Sequence, residues 1–237
     1  MKRIKENPNE KLSLIIPVYN EEKTIETIIK KIVLQKYPIP KEIIIVDDCS
    51  QDNTLKKCNE LVKQYSDITL IKHDKNLGKG AAVRTGLEQV TGTIIGIQDA
   101  DLEYNPKDHL KLIKPFIENN NDIVYGSRFL GKNNNHKLTL FYLGNKFLSL
   151  ITRWLYHQKI TDMETCYKFF RKNTLNNITL TSKGFDIEPE ITSKLLKKGY
   201  FIKEISILYK PRTISEGKKI KVKDGFIALW TLIKNRI

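Results

Sequence analysis

The chain has 237 residues, with 40% hydrophobic and 29% charged, which is ordinary for a soluble globular protein of one domain, or one domain and an appendage. No stretch of about 18 residues lacks charged and polar side chains, so we expect no membrane-spanning helix. The polar segment 1–12 lacks the apolar core of a signal peptide, and we therefore expect the protein in the cytosol.

The net charge of +14 suits an anionic partner such as nucleic acid, an anionic membrane or a phosphorylated small molecule. A generally lysine-rich composition explains the total equally well. The distribution is more informative, because residues 194–223 hold ten cationic side chains opposed only by Glu204 and Glu216. No RNP, KH or zinc-finger pattern is present, so we expect no nucleic-acid partner.

Apolar runs and helical segments alternate about every 25 residues in the first half of the chain. Asn20 is positioned to cap a first helix that continues to about Gln35, and Asn105-Pro106 opens a later one. The pattern predicts an α/β fold with a mostly parallel sheet covered by helices on both faces. The predicted strands are 12–18, 42–47, 67–73, 93–98 and 122–127.

The regular alternation ends after residue 130. A long apolar helix is predicted over 138–156, and the tail places Phe226, Leu229, Trp230 and Ile233 at helical spacing. Between them we predict strands at 166–171 and 201–209 and a helix at 187–198.

Ligands of open parallel sheets bind beyond the carboxyl ends of the strands. Asp99 and Asp101 follow the fourth predicted strand two residues apart, so both carboxylates can point toward one cation. Oxygen ligands suit Mg²⁺ or Mn²⁺. Glu103 is either a third ligand or lies just outside the metal site.

Two further strand ends carry candidate ligand residues. Asp48 is the better candidate for contacts to a ribose or base, and Asp47 the better one for a helix cap and turn. Tyr19 is placed either to stack on a base or to pack under its loop. No glycine-rich phosphate motif is present, so metal and side chains such as Lys79 must bind phosphates.

Four segments with matching order and spacing resemble glycosyltransferase family 2 proteins, which have a GT-A fold. They are IIPVYNE at 15–21, IIIVDDCSQDNT at 43–54, NLGKGAAVRTG at 76–86 and QDADLEYNP at 98–106. Later segments are similar to the polyprenol-phosphate sugar transferases, such as the dolichyl-phosphate mannose and glucose synthases. They are YGSRF at 125–129, TDMETCYKFFR at 161–171 and YKPRTISEGKKI at 209–220.

The resemblance implies a role for each matching residue. The donor would contact Pro17, Tyr19, Glu21, Asp48, Lys79, Asp99 and Ala100. The metal would be held by Asp99 and Asp101, with Glu103 beside them. Phosphates would face Arg128, Arg212 and Lys218. Asp162 and Glu164 are candidate bases if the acceptor is a hydroxyl. Asp162 is the better candidate, and Glu164 is better interpreted as part of a satisfied pair of loop carboxylates.

The implied function is metal-dependent, inverting transfer of a hexose from a nucleotide-diphosphate sugar, of the GDP-mannose or UDP-glucose type, to a polyprenyl or dolichyl phosphate. The implied catalytic domain covers 1–222, with a nucleotide-sugar half at about 12–128 and an acceptor half at about 129–222. An amphipathic helix follows at 223–237.

The implied location is peripheral, at the cytosolic face of an anionic membrane, bound through the helix at 138–156 and the tail helix or through a membrane subunit. Both helices can instead pack on the sheet or on each other. An alternative function is transfer to a glycan or protein hydroxyl. The Tyr-Asn-Glu-Glu loop after the first strand argues against a sugar-phosphate nucleotidyltransferase.

Overall fold

The computed structural model describes residues 10–131, 140–176, 178–212, 217 and 219–237, apart from the side chain of Leu140. Seven strands form one sheet in the order β3-β2-β1-β4-β6-β5-β7. Strand β6 runs antiparallel to β4 and β5, whereas the other pairings are parallel. The strands are β1 Leu12–Val18, β2 Lys41–Asp47, β3 Ile68–Lys72, β4 Ile94–Ile97, β5 Ile123–Ser127, β6 Lys168–Arg171 and β7 Lys203–Ser206.

Helices cover the sheet because its central strands are apolar on both faces. The consecutive β1 residues Leu14, Ile15 and Ile16 point to alternate faces and are all fully buried. The helices are α1 Ile25–Leu34, α2 Thr54–Gln64, α3 Lys79–Gln89, α4 His109–Asn119, α5 Leu140–Tyr156, α6 Ile187–Lys197 and α7 Val222–Arg236. Short 3₁₀ turns occupy Pro106–Asp108 and Lys172–Leu175.

The structure confirms the predicted α/β fold and corrects the start of the first helix. Helix α1 begins at Ile25, with Thr24 at the cap position, and not next to Asn20. Asn20 has a left-handed φ of 50°, and its side-chain oxygen accepts a hydrogen bond from the Gln51 backbone at 2.7 Å. The side chain thus joins two loops, a use that competes with helix capping.

The C-terminal helix α7 packs against α5 and α6. Its Leu232 is fully buried, and the Leu232 carbonyl accepts a hydrogen bond from the Tyr156 hydroxyl at 2.8 Å. Its other face exposes Phe226 and Trp230. The tail therefore contributes to the core while leaving an apolar face in solvent. Within the described ranges, no helix has both the length and the apolar character needed to cross a membrane.

Gly96 allows an aromatic ring to pack against the middle of the sheet. It lies opposite Phe169 in the β4–β6 pairing, and a Cβ atom at Gly96 would lie 2.5 Å from Phe169 Cε1. We predict that Gly96→Ala lowers the free energy of unfolding by about 1–3 kcal/mol, because a packed core resists added volume.

Urea denaturation measures this effect. Gly144→Ala is the control, because no atom lies within 4 Å of a Cβ at that helical position. We expect Gly144→Ala to leave stability equal or to raise it by up to about 1 kcal/mol. A Gly96→Ala protein that unfolds at the wild-type urea concentration contradicts the packing argument.

Candidate active site

A cavity of about 340 Å³ lies at the carboxyl ends of β1, β2 and β4. It brings together nearly all the residues predicted from the strand ends and the resemblance. Those in its lining are Pro17, Tyr19, Glu21, Asp48, Lys79, Asp99, Ala100, Asp101, Glu103, Arg128, Glu164 and Arg212. Asp162 does not line it, and Lys218 lies outside the described residues.

The carboxylate of Glu21 connects the first half of the chain to the second half through ion pairs. Arg212 donates to both Glu21 oxygens at 3.0 and 3.1 Å, and Lys219 donates to one of them at 2.7 Å. Burial opposes ionisation of Glu21, but these two cations hold its pKa below the ordinary value. Lys219 also donates to the Tyr19 carbonyl, so two residues that follow β7 contact the end of β1.

Asp99 and Asp101 both face the cavity, and each contacts a cationic side chain. Lys79 Nζ lies 2.8 Å from Asp99, and Arg212 Nη2 lies 3.3 Å from Asp101. Burial, together with the nearby charges of Asp99 and Glu103, raises the pKa of Asp101 to about 7, although Arg212 acts in the opposite direction. Ionised Asp101 is therefore costly here unless another cation joins it.

This charge imbalance is what a divalent cation would relieve, so Asp99 and Asp101 fit one. Mg²⁺ commonly takes one or two protein carboxylates and completes its shell with phosphate oxygens and water. Glu103 is engaged elsewhere, since its oxygens accept from the Tyr209 hydroxyl and the Arg212 backbone, each at 2.7 Å. In the part of the chain that the structure describes, no three side chains form a metal-ligand group. A role for Glu103 as a third ligand stays a prediction.

Asp48 lines the cavity directly after β2. One of its oxygens accepts from the Leu77 backbone at 2.8 Å and contacts His73 Nδ1 at 2.7 Å, and the other accepts from the Gly78 backbone at 2.7 Å. The second oxygen retains capacity for a ligand hydrogen bond, because a carboxylate oxygen accepts two. Asp47 is fully buried and accepts from the Ser50 backbone at 3.2 Å.

The glycine-bearing loop before α3 packs backbone against backbone. Gly78 has a φ of 93°, and a Cβ there would lie 2.3 Å from the Lys183 carbonyl oxygen. The N–H groups of Gly80 and Ala81 donate to Gly184 and Lys183 carbonyls at 3.1 and 3.2 Å. These two amides are therefore not available to phosphate.

Arg128 lines the cavity and is held in place by hydrogen bonds to Asp162. The fully buried Asp162 carboxylate accepts from the Arg128 backbone at 2.8 Å and from two guanidinium nitrogens at 2.7 Å each. Burial opposes the Arg128 charge, but Asp162 keeps its pKa well above the ordinary value. This geometry supports a positioning role for Asp162, since a permanent cation engages both of its oxygens.

Glu164 is the second candidate base. It lines the cavity, and its buried Oε1 atom has no hydrogen-bond partner among the described residues. Burial raises the pKa of Glu164 to about 7, with Lys168 opposing and Glu188 adding to the shift. Of the two carboxylates considered as bases, Glu164 is the one in contact with the cavity.

An apolar groove of about 300 Å³ continues from the cavity and runs between α5 and α7. The two spaces share Phe141, Asn145, Glu164, Phe185 and Ile220. The same two helices expose eight large apolar side chains, each between 45% and 73% accessible, and three of these also line the groove. They are Leu143, Phe147, Leu150 and Trp154 on α5 and Val222, Phe226, Ile227 and Trp230 on α7, of which Phe147, Val222 and Phe226 line the groove.

Comparison with known proteins identifies the family. The sequence profile described as Glycosyl transferase family 2 matches residues 13–179. This chain belongs to glycosyl transferase family 2. This family 2 enzyme is 31% identical over 240 residues to a UDP-N-acetylglucosamine–dolichyl-phosphate N-acetylglucosaminyltransferase from Methanococcus voltae, covering 93% of this chain and 94% of the relative.

Two further comparisons concern a second curated relative and a solved structure. The family 2 enzyme is 33% identical over 204 residues to a dolichol-phosphate mannosyltransferase from Pyrococcus furiosus, which covers 83% of this chain and 55% of that protein. A solved structure of glucosyl-3-phosphoglycerate synthase from Mycobacterium tuberculosis, with Mg²⁺ and UDP, superposes with a TM-score of 0.71 at 18% identity. It covers 95% of this chain and 79% of the synthase. The last similarity shows a shared GT-A fold.

Two residues that contact predicted site residues were not predicted from the sequence. His73 supports Asp48 from the end of β3, and Glu188, in the first turn of α6, lies 3.0 Å from Lys79. His73 follows a predicted strand, which is a signal that could have found it. Glu188 precedes a proline in a helix and has no such signal.

We predict that Asp162→Asn lowers the free energy of unfolding by about 3–5 kcal/mol, because it leaves buried Arg128 without its counter-charge. Urea denaturation measures the loss. Glu164→Gln serves as the matched control from the same loop, and we expect no loss of stability from it at pH 8. An Asp162→Asn protein of wild-type stability that cannot transfer sugar would instead favour Asp162 as the base.

Proposed function

We propose that this glycosyltransferase moves a hexose from a nucleotide-diphosphate sugar, of the GDP-mannose or UDP-glucose type, to a polyprenyl phosphate, with inversion and with Mg²⁺ or Mn²⁺. The main support for this proposal is that the polar cavity and the apolar groove are continuous. The cavity holds an aspartate pair and two arginines, and the groove begins at the same wall. A phosphate that carries an apolar chain matches both parts.

The donor half of the proposal rests on Asp99 and Asp101. They would hold the metal, which when bound would stabilise the departing nucleoside diphosphate. Lys79 has three N–H groups and would direct one at a donor phosphate. Tyr19 and the second Asp48 oxygen would contact the nucleoside.

The acceptor half rests on Arg128 and Arg212. A lipid phosphate is already anionic and nucleophilic near neutral pH, so its transfer needs cations and no strong base. A guanidinium matches phosphate with two parallel hydrogen bonds. Arg212 contacts Glu21 and Asp101 in the structure, and binding of the anionic ligands would give it new partners. The names of the Methanococcus and Pyrococcus relatives, which both include dolichyl phosphate or dolichol phosphate, support this acceptor.

Glu164 favours one alternative, transfer to a hydroxyl of a glycan or protein. A partly buried carboxyl whose pKa is raised to about 7 is suited to accept a proton from a hydroxyl. The two functions differ in one residue, because transfer to a phosphate does not require Glu164 as a base. A Glu164→Gln enzyme that retains turnover with polyprenyl phosphate supports the phosphate acceptor.

We further propose that the exposed apolar faces of α5 and α7 contact an anionic membrane from its cytosolic side. Arg153, Lys223, Lys234 and Arg236 lie on the same two helices and would approach anionic head groups. The position suits the acceptor, since the groove opens between these helices. A membrane subunit that covers the same faces is the alternative.

We predict that Asp101→Ala reduces sugar transfer to a short polyprenyl phosphate by about 10²–10³-fold, because one electrostatic stabiliser of the transition state is lost. Mass spectrometry of the lipid product, with both GDP- and UDP-sugars and Mn²⁺, measures the rate. Exposed Asp74 supplies the control variant Asp74→Asn, for which we expect wild-type turnover. Near-normal turnover of the wild type in excess EDTA would refute the metal role.

We predict that Trp154→Glu combined with Trp230→Glu weakens binding to phosphatidylglycerol vesicles more than about tenfold. Full burial of one large apolar side chain is worth about 1.5–3 kcal/mol, and 1.4 kcal/mol is a factor of about ten. Co-sedimentation at low salt measures binding. The control is Leu34→Glu, since Leu34 is 79% exposed at the end of α1. Wild-type protein that never co-sediments would rule out autonomous attachment and leave the membrane subunit.

A further inference from the structure

Glu188 lies between two lysines at the wall of the cavity. It is only 3% exposed, and it occupies the first turn of α6. Its Oε1 atom lies 3.0 Å from Lys79 Nζ, and its Oε2 atom lies 3.2 Å from Lys168 Nζ. One buried carboxylate is therefore shared by two ammonium groups.

Lys168 fixes one end of this arrangement. It is fully buried in β6, and its ammonium donates to the Met163 and Thr165 carbonyls at 2.7 Å each. The same ammonium lies 4.4 Å from the centre of the Tyr125 ring. With three such partners already in contact, Lys168 has little freedom, and it keeps a positive charge 3.2 Å from Glu188 Oε2.

Lys79 forms the other end and reaches the donor site. Its ammonium lies 2.8 and 3.0 Å from the two oxygens of Asp99 and 3.0 Å from Glu188. Two carboxylates thus compete for one cation. Without the charge of Glu188, Lys79 would pair with Asp99 alone and neutralise more of its negative charge. Asp99 would then attract another cation less strongly.

We propose that Glu188 is a positioning residue that shares Lys79 with Asp99 and so keeps Asp99 available to the divalent cation of the donor. The inference rests on the proposed function, because it assumes that Asp99 helps to hold that cation. It assigns a role to a carboxylate whose ion pairs among the described residues are with Lys79 and Lys168 and not with Arg128 or Arg212.

The test is the Mn²⁺ dependence of nucleoside diphosphate binding, measured by isothermal titration calorimetry with UDP and with GDP and without any acceptor. For Glu188→Gln we expect the Mn²⁺ concentration for half-maximal enhancement to rise about five- to tenfold, the lower part of the usual range of coupling between sites. Binding without metal should stay equal or become tighter, because a negative charge has been removed near the diphosphate. Loss of structure alone would weaken both.

The matched control is Glu190→Gln. Glu190 lies in the same helical turn, is 2% exposed and pairs with Lys194 at 2.6 Å, but it does not line the cavity. We expect its Mn²⁺ response to equal that of the wild type. In a Lys79→Met background, Glu188→Gln should change the Mn²⁺ response less than about twofold, because the effect passes through Lys79.

An unchanged Mn²⁺ response in Glu188→Gln, or an equal change in the Lys79→Met background, would overturn the inference alone. If Glu188→Gln does not fold, Glu188→Asp takes its place, and its shorter carboxylate should still raise the Mn²⁺ requirement; no rise overturns the inference. Wild-type protein that binds neither nucleotide with Mn²⁺ would overturn the proposed function, and the inference with it.

Discussion

Charge compensation among buried carboxylates and cations at one edge of the sheet determines how this site is built. Glu21, Asp99 and Glu188 are nearly or largely buried and contact Arg212, Lys79 and Lys168. An unpaired charge in such surroundings costs several kcal/mol, so each carboxylate requires a partner. The cations for Glu21 and one of those for Glu188 come from the second half of the chain. The charge pairing in this cavity therefore requires both halves of the chain.

Part of the large positive charge of the chain lies inside the cavity, where it pairs with carboxylates. Arg212 and Lys219 belong to the basic segment 194–223, and both contact Glu21 across the cavity. Because Arg212 also reaches Asp101, it links a carboxylate that follows β1 with one that follows β4. Arrival of a divalent cation and two phosphate-bearing substrates would change which charges need partners. Arg212 is the group best placed to move from an internal carboxylate to a substrate phosphate.

Features that depend on neighbouring residues in the sequence could be predicted, whereas features that depend on contacts between distant segments could not. Alternating apolar runs indicated the parallel strands, and strand ends then indicated Tyr19, Asp48, Asp99 and Asp101, because parallel strands align their ends at one edge. The insertion of β6 between β4 and β5 was not predicted, since strand neighbours depend on packing between distant segments. The ion pairs of Glu188 with Lys79 and Lys168 were not predicted for the same reason. They join residues 109 and 20 positions apart, and such contacts leave no local pattern in the sequence.

In the proposed function, Asp99 and Asp101 hold a cation beside the donor diphosphate. A crystal structure with Mn²⁺ and a nucleoside diphosphate, with anomalous diffraction recorded at the manganese edge, would show whether they do. We expect one anomalous peak in contact with both carboxylates and the diphosphate, with Arg212 no longer bonded to Asp101. A nucleotide bound in the cavity with no peak at this pair, or a peak at other residues, would contradict it.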